Sequence, residues 1–243
     1  MRHVLTKYDA LGKAEHGWLH ANFHFSFANY YNPTRMGFGK IRVINDDIIE
    51  PHNGFGAHPH DNMEIISFVR SGAITHKDSM GNEGRTEAGD VQVMSAGTGV
   101  MHSEYNLEDE VTNLYQIWIL PDIKNVKPRW ESGSFKNTEK NQFKLLVSGF
   151  NDERESLKIH QDVNIYSVQF DKSGNSTVFD TDRDIYVLCS SGELVIKTDS
   201  SSVTDQLIKM SKGDGLEIDQ LKEKKTFEFV AKSDDVEVIV IET

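Results

Sequence analysis

One cysteine, Cys189, stands in 243 residues, so the chain can form no internal disulfide and suits a reducing compartment. No apolar run approaches the length needed to cross a bilayer, and the opening MRHVLTKYDALGKAEHGWLH lacks the long apolar core of a signal peptide. The cytoplasm is the expected compartment, with no membrane partner. Basic residues are in deficit, 26 against 38 acidic ones, for a net charge of −12. An acidic surface repels phosphate backbones, and no basic stripe with interleaved aromatics occurs, so direct nucleic-acid binding is not expected. No long segment has a 3.6-residue apolar period, which argues against helices. No nucleophile elbow is present, which sets a hydrolase aside. Histidine is nearly missing from the second half: nine of ten lie within residues 1–102, the tenth is His160, and none follows it. Any histidine chemistry belongs to the first half.

What is present is a succession of short runs rich in β-branched and aromatic residues, punctuated by Gly and polar clusters. IRVI (41–44), EIISFVR (64–70), DVQVMS (90–95), LYQIWIL (114–120), FKLLVSG (143–149), NIYSVQF (164–170), IYVLCS (185–190), ELVIKT (193–198) and VEVIVIE (236–242) read as strands. SSVTDQL (201–207) reads as a loop. The pattern predicts an all-β chain of sandwiches or barrels. A weak repeat supports two similar barrels: SGAITHKDS at 71–79 resembles SGELVIKTDS at 191–200, and a Gly-Asp step follows each, Gly89-Asp90 and Gly213-Asp214. The expected domains are 1–130 and 131–243, joined by a linker within PDIKNVKPRWESGSFKNTEKN (121–141).

Two doublets carry the chemistry, His58-Pro59-His60 and His102-Ser103-Glu104. On a strand, residues two apart share a face, so each doublet presents both side chains in one direction. Neighbouring strands would bring four ligands to one point. Three imidazoles and a carboxylate suit a divalent transition metal, and six-coordination would leave two positions open. The sequence does not choose among Fe, Mn, Co, Ni, Cu and Zn.

GAHPHDNMEI, HKDSMGNEG, AGDVQVMSAGTGVMHSEYN and LYQIWI, within about residues 54–120, resemble the pirin family of the cupin superfamily, and especially its bacterial members reported to degrade quercetin. The resemblance implies a bicupin, two jelly-roll β-barrels. It implies one metal, Fe(II) foremost, held by His58, His60, His102 and Glu104 in the N-terminal domain and no ligand set in the C-terminal one. It further implies a quercetin 2,3-dioxygenase type of oxidoreductase acting on a small aromatic substrate and O₂, with Glu104 as base. The alternative is a non-enzymatic, metal- or redox-sensing protein with a protein partner, as mammalian pirins resemble. A purely structural metal is a third reading, opposed by the open positions. The chain departs from general cupins at Ser95, where Pro is usual, and from many pirins at Asp61, where a basic residue is usual. Nothing argues against a monomer.

Bland readings stand beside these. Glu64, which general cupins would use as a ligand, opens an apolar run and reads equally as a strand-entry carboxylate. His76 can orient a ligand or sit in a hairpin. His16, His20 and His24 have helical spacing but lie in an alternating stretch, so they read as strand or loop residues. Gly97-Thr98-Gly99 is a turn rather than a phosphate loop. Phe55, Met63, Phe68 and Met94 are candidates for lining an apolar cavity, against plain core. Cys189 is expected to be buried and inert.

Overall fold

The structure is a computed structural model that describes residues 1–198 and 207–243. The tail of the second repeat and most of the stretch expected as a loop at 201–207 lie outside the described residues. Strands make up nearly all the regular structure: β1 (Arg2–Thr6), β2 (Gly12–Glu15), β3 (Leu19–Phe23), β4 (Ile41–Ile49), β5 (Gly54–His60), β6 (Glu64–Ser71), β7 (Ala73–Asp78), β8 (Glu83–Glu87), β9 (Asp90–Ser95), β10 (Val100–Tyr105), β11 (Thr112–Ile119) and β12 (Arg129–Ser134). They continue with β13 (Lys144–Gly149), β14 (Leu157–Ile159), β15 (Asn164–Phe170), β16 (Ser176–Thr181), β17 (Ile185–Ser191), β18 (Glu193–Thr198), β19 (Leu207–Ser211), β20 (Gly215–Asp219), β21 (Lys225–Ala231) and β22 (Val236–Glu242). The only described helix is a 3-10 turn at Tyr8–Ala10, and no helix is long and apolar enough to cross a membrane.

The chain forms two compact units. One comprises residues 11–137 and 147–162. Its larger sheet has the order β12-β9-β6-β11-β4-β3-β2, and its smaller sheet β5-β10-β7-β8. The other comprises residues 1–10, 138–146 and 163–243, with β20-β17-β22-β15 at the heart of one sheet and β16-β21-β18-β19 as the second. Each is a two-sheet, jelly-roll-like barrel, so the chain is a bicupin. Central strands such as VEVIVIE (β22) are dominated by β-branched residues, which suits a pleated surface packed among neighbours. Phe170, Phe227, Phe229, Val187 and Ile196 fill the second barrel.

The expected linker is corrected. Residues 129–134 form β12, which pairs antiparallel with β9 over Arg129↔Ser95 to Ser134↔Asp90. RWESGS lacks a β-branched run, so its strand state comes from an edge position beside β9 rather than from propensity. The boundary expected at 130/131 falls inside this strand. The first ten residues also go to the far unit, where β1 adds to β20.

Candidate metal centre

β5 and β10 are neighbours, with His102 opposite His58 and Val100 opposite His60. β5 is an edge strand, which tolerates Pro59 without a ladder N–H. Glu104 lies opposite Phe55, so β5 carries one extra residue between Phe55 and His58. Bulges of this kind re-aim side chains beside functional sites.

The three imidazoles converge. Their ring centroids are 4.8 Å (His58–His60), 4.5 Å (His58–His102) and 4.9 Å (His60–His102) apart. Nε2 of His58 and Nε2 of His102 are separated by 3.1 Å. His58 Nδ1 donates to the Gly56 carbonyl at 2.7 Å, which leaves the Nε2 lone pair facing His102. His60 Nε2 is buried without a hydrogen-bond partner, and its ring stands edge-on to Trp118. Burial, assisted by His58, lowers His60 to about 4; burial, with His58, His60 and His76, lowers His102 to about 3. Both are neutral imidazoles at pH 7. Two metal–nitrogen bonds of ~2.1 Å at right angles set their nitrogens ~3.0 Å apart, so this donor set fits a divalent transition metal.

Glu104 is buried on β10 and is held from the opposite sheet. Gln92 Nε2 (2.6 Å) and Ser67 Oγ (3.1 Å) donate to Oε1, and Gln116 Nε2 (3.2 Å) donates to Oε2. Burial raises its carboxyl to about 7, against the opposing pull of Ser67 and Gln92. His58, His60 and His102 offer ligand atoms within 4.8 Å of one another; His76, His102 and Glu104 do so as a second group, with His102 common to both.

His76, which the sequence left open between orienting a ligand and sitting in a hairpin, lies on β7 beside His102. It is fully buried, its Nε2 donates to Asp78 Oδ2 at 3.0 Å, and its Nδ1 faces His102 Nδ1 at 3.5 Å. Trp130 of β12 stacks on it at 5.1 Å with planes 8° apart, over Gly84, where a Cβ would lie 2.2 Å from the indole. Burial lowers the His76 pKa against the influence of Asp78. Burial would raise Asp78, but hydrogen bonds from His76, from the Asn82 side chain and backbone, and from the Met80 backbone bring it below its ordinary range. A carboxylate thus fixes His76 with Nδ1 as acceptor.

Glu64 does not join the imidazoles. It opens β6 one strand face away from Ser67, accepts a hydrogen bond from Ser95 Oγ at 2.7 Å and another from the His160 backbone, and is pushed up to about 7 by burial. His20 lies on β3, His16 in the turn before it and His24 just after it, buried. Cys189 is buried, with its thiol pushed up to about 12 by burial.

Beside the imidazoles opens a cavity of about 870 Å³, lined by His58, His60, Phe55 and Gln116 and by the aromatic side chains Trp18, Phe23, Phe27, Tyr30 and Trp118. Of the four candidates for an apolar lining, only Phe55 faces it. Met63 and Met94 pack with Ile65, Ala96 and Val100, and Phe68 is buried in β6. Of the missed aromatics, Trp118 lies on β11 and the other four come from WLHANFHFSFANYY (18–31), where the alternation of large rings was the available signal.

A family model described as Pirin matches residues 4–119, and one described as quercetinase C-terminal cupin domain matches residues 145–243. The chain is 43% identical over 215 residues to a quercetin 2,3-dioxygenase of Escherichia coli K12, covering 88% of each chain. It is 50% identical over 188 residues to a pirin-like protein of Caulobacter vibrioides, covering 76% of this chain and 81% of that one. The crystal structure of the bacterial pirin YhhW from Escherichia coli in complex with nickel(II) superposes with a TM-score of 0.86 at 39% identity, over 99% of this chain and 98% of that one. With two matched cupin domains and these relatives spanning most of its length, the chain belongs to the pirin family.

Proposed function

We propose that the protein is a dioxygenase that opens a flavonol of the quercetin type with O₂, using one divalent metal, foremost Fe(II), held by His58, His60, His102 and Glu104 of its N-terminal cupin. The observation that carries this reading is the meeting of three converging imidazoles with an aromatic cavity of about 870 Å³ large enough for a flat polyphenol. The E. coli relative named quercetin 2,3-dioxygenase and the nickel complex of YhhW support it. When bound, the metal supplies Lewis acidity toward a hydroxyl–carbonyl pair and open positions for it. Glu104 takes up the proton of the flavonol hydroxyl, a role its carboxyl at about 7 suits near neutral pH. Ser67, Gln92 and Gln116 hold the Glu104 oxygens during that transfer, and the Trp18, Phe55 and Trp118 wall orients the planar substrate and excludes water.

The test is O₂-dependent loss of quercetin by Fe(II)-reconstituted protein, with His102→Ala beside it. Turnover in the wild type and none in the variant supports the reading. A stoichiometric metal without turnover of any flavonol overturns it in favour of a metal-sensing protein that binds a protein partner. Glu104→Gln separates the two roles of the carboxylate: inactivity with partial metal retention is the expected outcome, and full activity would exclude Glu104 as base.

A further inference from the structure

The cavity wall is not uniformly apolar. Asn45 and Asp47 lie two apart on β4 and therefore share a face. Asn45 pairs with Phe23 and Gln116, and Asp47 with Ala21 and Leu114, so the two sit among the strand positions that line the cavity. Their exposures are 3% and 1%. Oδ1 of each is buried and has no hydrogen-bond partner. Two orphan acceptors on one short stretch of wall are destabilising in themselves, because desolvation is not offset by a bond. Such groups persist where a ligand completes them.

The rest of the lining narrows what that ligand is. Trp18 meets Phe55 edge to face at 5.2 Å, Phe27 meets Trp118 at 5.3 Å, and Phe23 packs on Phe27 at 5.4 Å, which makes an aromatic slot for flat rings. The imidazoles border this slot, and Gln116, the cross-strand neighbour of Asn45, donates to Glu104. A ligand chelated beside Glu104 therefore has its remaining periphery within the reach of the β4 face.

We propose that Asp47 and Asn45 form a hydrogen-bonding shelf that selects flavonols carrying hydroxyl groups beyond the chelating pair, a proposal that rests on the flavonol reading of the site. The hydroxyl hydrogens of the ligand supply the donors that the two Oδ1 atoms lack. An aromatic of the same shape without those hydroxyls leaves both acceptors unpaired and binds more weakly.

Quercetin and 3-hydroxyflavone make the comparison, since the second keeps the chelating hydroxyl–carbonyl pair and lacks every other hydroxyl. Their affinities are measured by anaerobic calorimetric titration of the metal-loaded protein, so that turnover is not the readout. In Asp47→Leu the quercetin-to-3-hydroxyflavone affinity ratio is expected to fall about 10- to 100-fold relative to wild type, through quercetin alone. Asp47→Asn conserves shape and an Oδ1 acceptor and so guards against misfolding; it should keep the ratio near that of wild type. Metal-free Asp47→Leu should melt no lower than wild type, because it removes an orphan acceptor. An unchanged ratio in Asp47→Leu, an equal loss of both flavonols, or no binding of either by the wild type overturns the proposal. Quercetin turnover with an unchanged ratio would sink the shelf and leave the dioxygenase reading standing. A selective, Asp47-dependent ratio without turnover would do the reverse.

Discussion

Asp78 is not itself a candidate ligand, yet it decides which nitrogen of His76 carries the proton. With Nε2–H given to Asp78, His76 offers Nδ1 to His102, and His102 is left with a free Nε2 pointing at His58. Asp78→Asn can present a donor instead, reverse the His76 tautomer and set two N–H groups against each other. Metal affinity, read by chelator competition, should weaken about 10- to 100-fold while the melting of the metal-free protein changes little. Unchanged affinity would reduce the His76–Asp78 pair to packing. Glu64 gives a second residue-scale prediction, on pH. Its carboxyl is raised from 4.5 to about 7 in the folded chain, so the folded state holds a proton that the unfolded state releases between those values. Stability therefore falls as pH rises through this window, by about 3 kcal/mol for this group. Glu64→Gln removes the term, so melting curves of metal-free wild type and variant should diverge in the variant's favour from pH 5 to pH 8. A constant gap would mean that Ser95 and the His160 backbone fully compensate the burial. The two doublets that form the candidate centre were visible in the sequence because alternation on a strand gives them a spacing. His76 was marked only as one of two readings, and Asp78, which shares the spacing with it, was not marked at all because no second doublet faces the pair.

At the scale of elements, the close approach of β5 and β10 is set by Gly54. A Cβ there would lie 2.3 Å from the Glu104 carbonyl oxygen and 2.5 Å from the Tyr105 Cα, both backbone atoms that cannot yield without moving β10. Gly54→Ala should destabilise the metal-free protein by about 1–3 kcal/mol and separate His58 from His102, so the folded variant should also bind metal more weakly. Melting curves and chelator competition on the same sample check both; a stable variant with native affinity would mean that the strands slide freely. The hairpins were better encoded than the linker. Gly72 and Gly192 join β6–β7 and β17–β18 with φ of 71° and 72°, and Gly89 and Gly213 follow with 83° and 84°, so the faint repeat marks equivalent turns of the two barrels. Within it, His76 of the first copy corresponds to Ile196 of the second, which packs in an apolar core. The same hairpin thus serves a polar site once and plain packing once. β12 was illegible for the opposite reason: its strand state depends on β9, and RWESGS carries no local signal of that partner.

For the whole molecule, the division of labour between the units is entangled by the chain path. Residues 1–10 precede the unit of the candidate metal centre in sequence but belong to the other one. β1 covers the edge of β20 over five paired residues, Arg2 pairs with Asp219, Lys7 Nζ reaches Asp214 Oδ2 at 2.7 Å, and Tyr8 packs on Gly213. Sequence reading placed these residues with their neighbours because RHVLT is short and its partner lies over 200 positions away. The consequence is a separation that deletion can expose. Removing residues 1–7 strips the ladder from β20 and the ion pairs from Asp219 and Asp214, and deletes no residue of the unit that holds His58, His60, His102 and Glu104. The loss is about 2 kcal/mol or more, since several net hydrogen bonds go together, and that lowers the transition of a domain of this size by roughly 10 °C. Differential scanning calorimetry of the truncated chain should therefore show a transition at reduced temperature, while metal analysis still finds one ion per chain. Loss of the metal along with the strand would mean that the two barrels fold as one cooperative body, and that the first ten residues support the site through the barrel that lacks it.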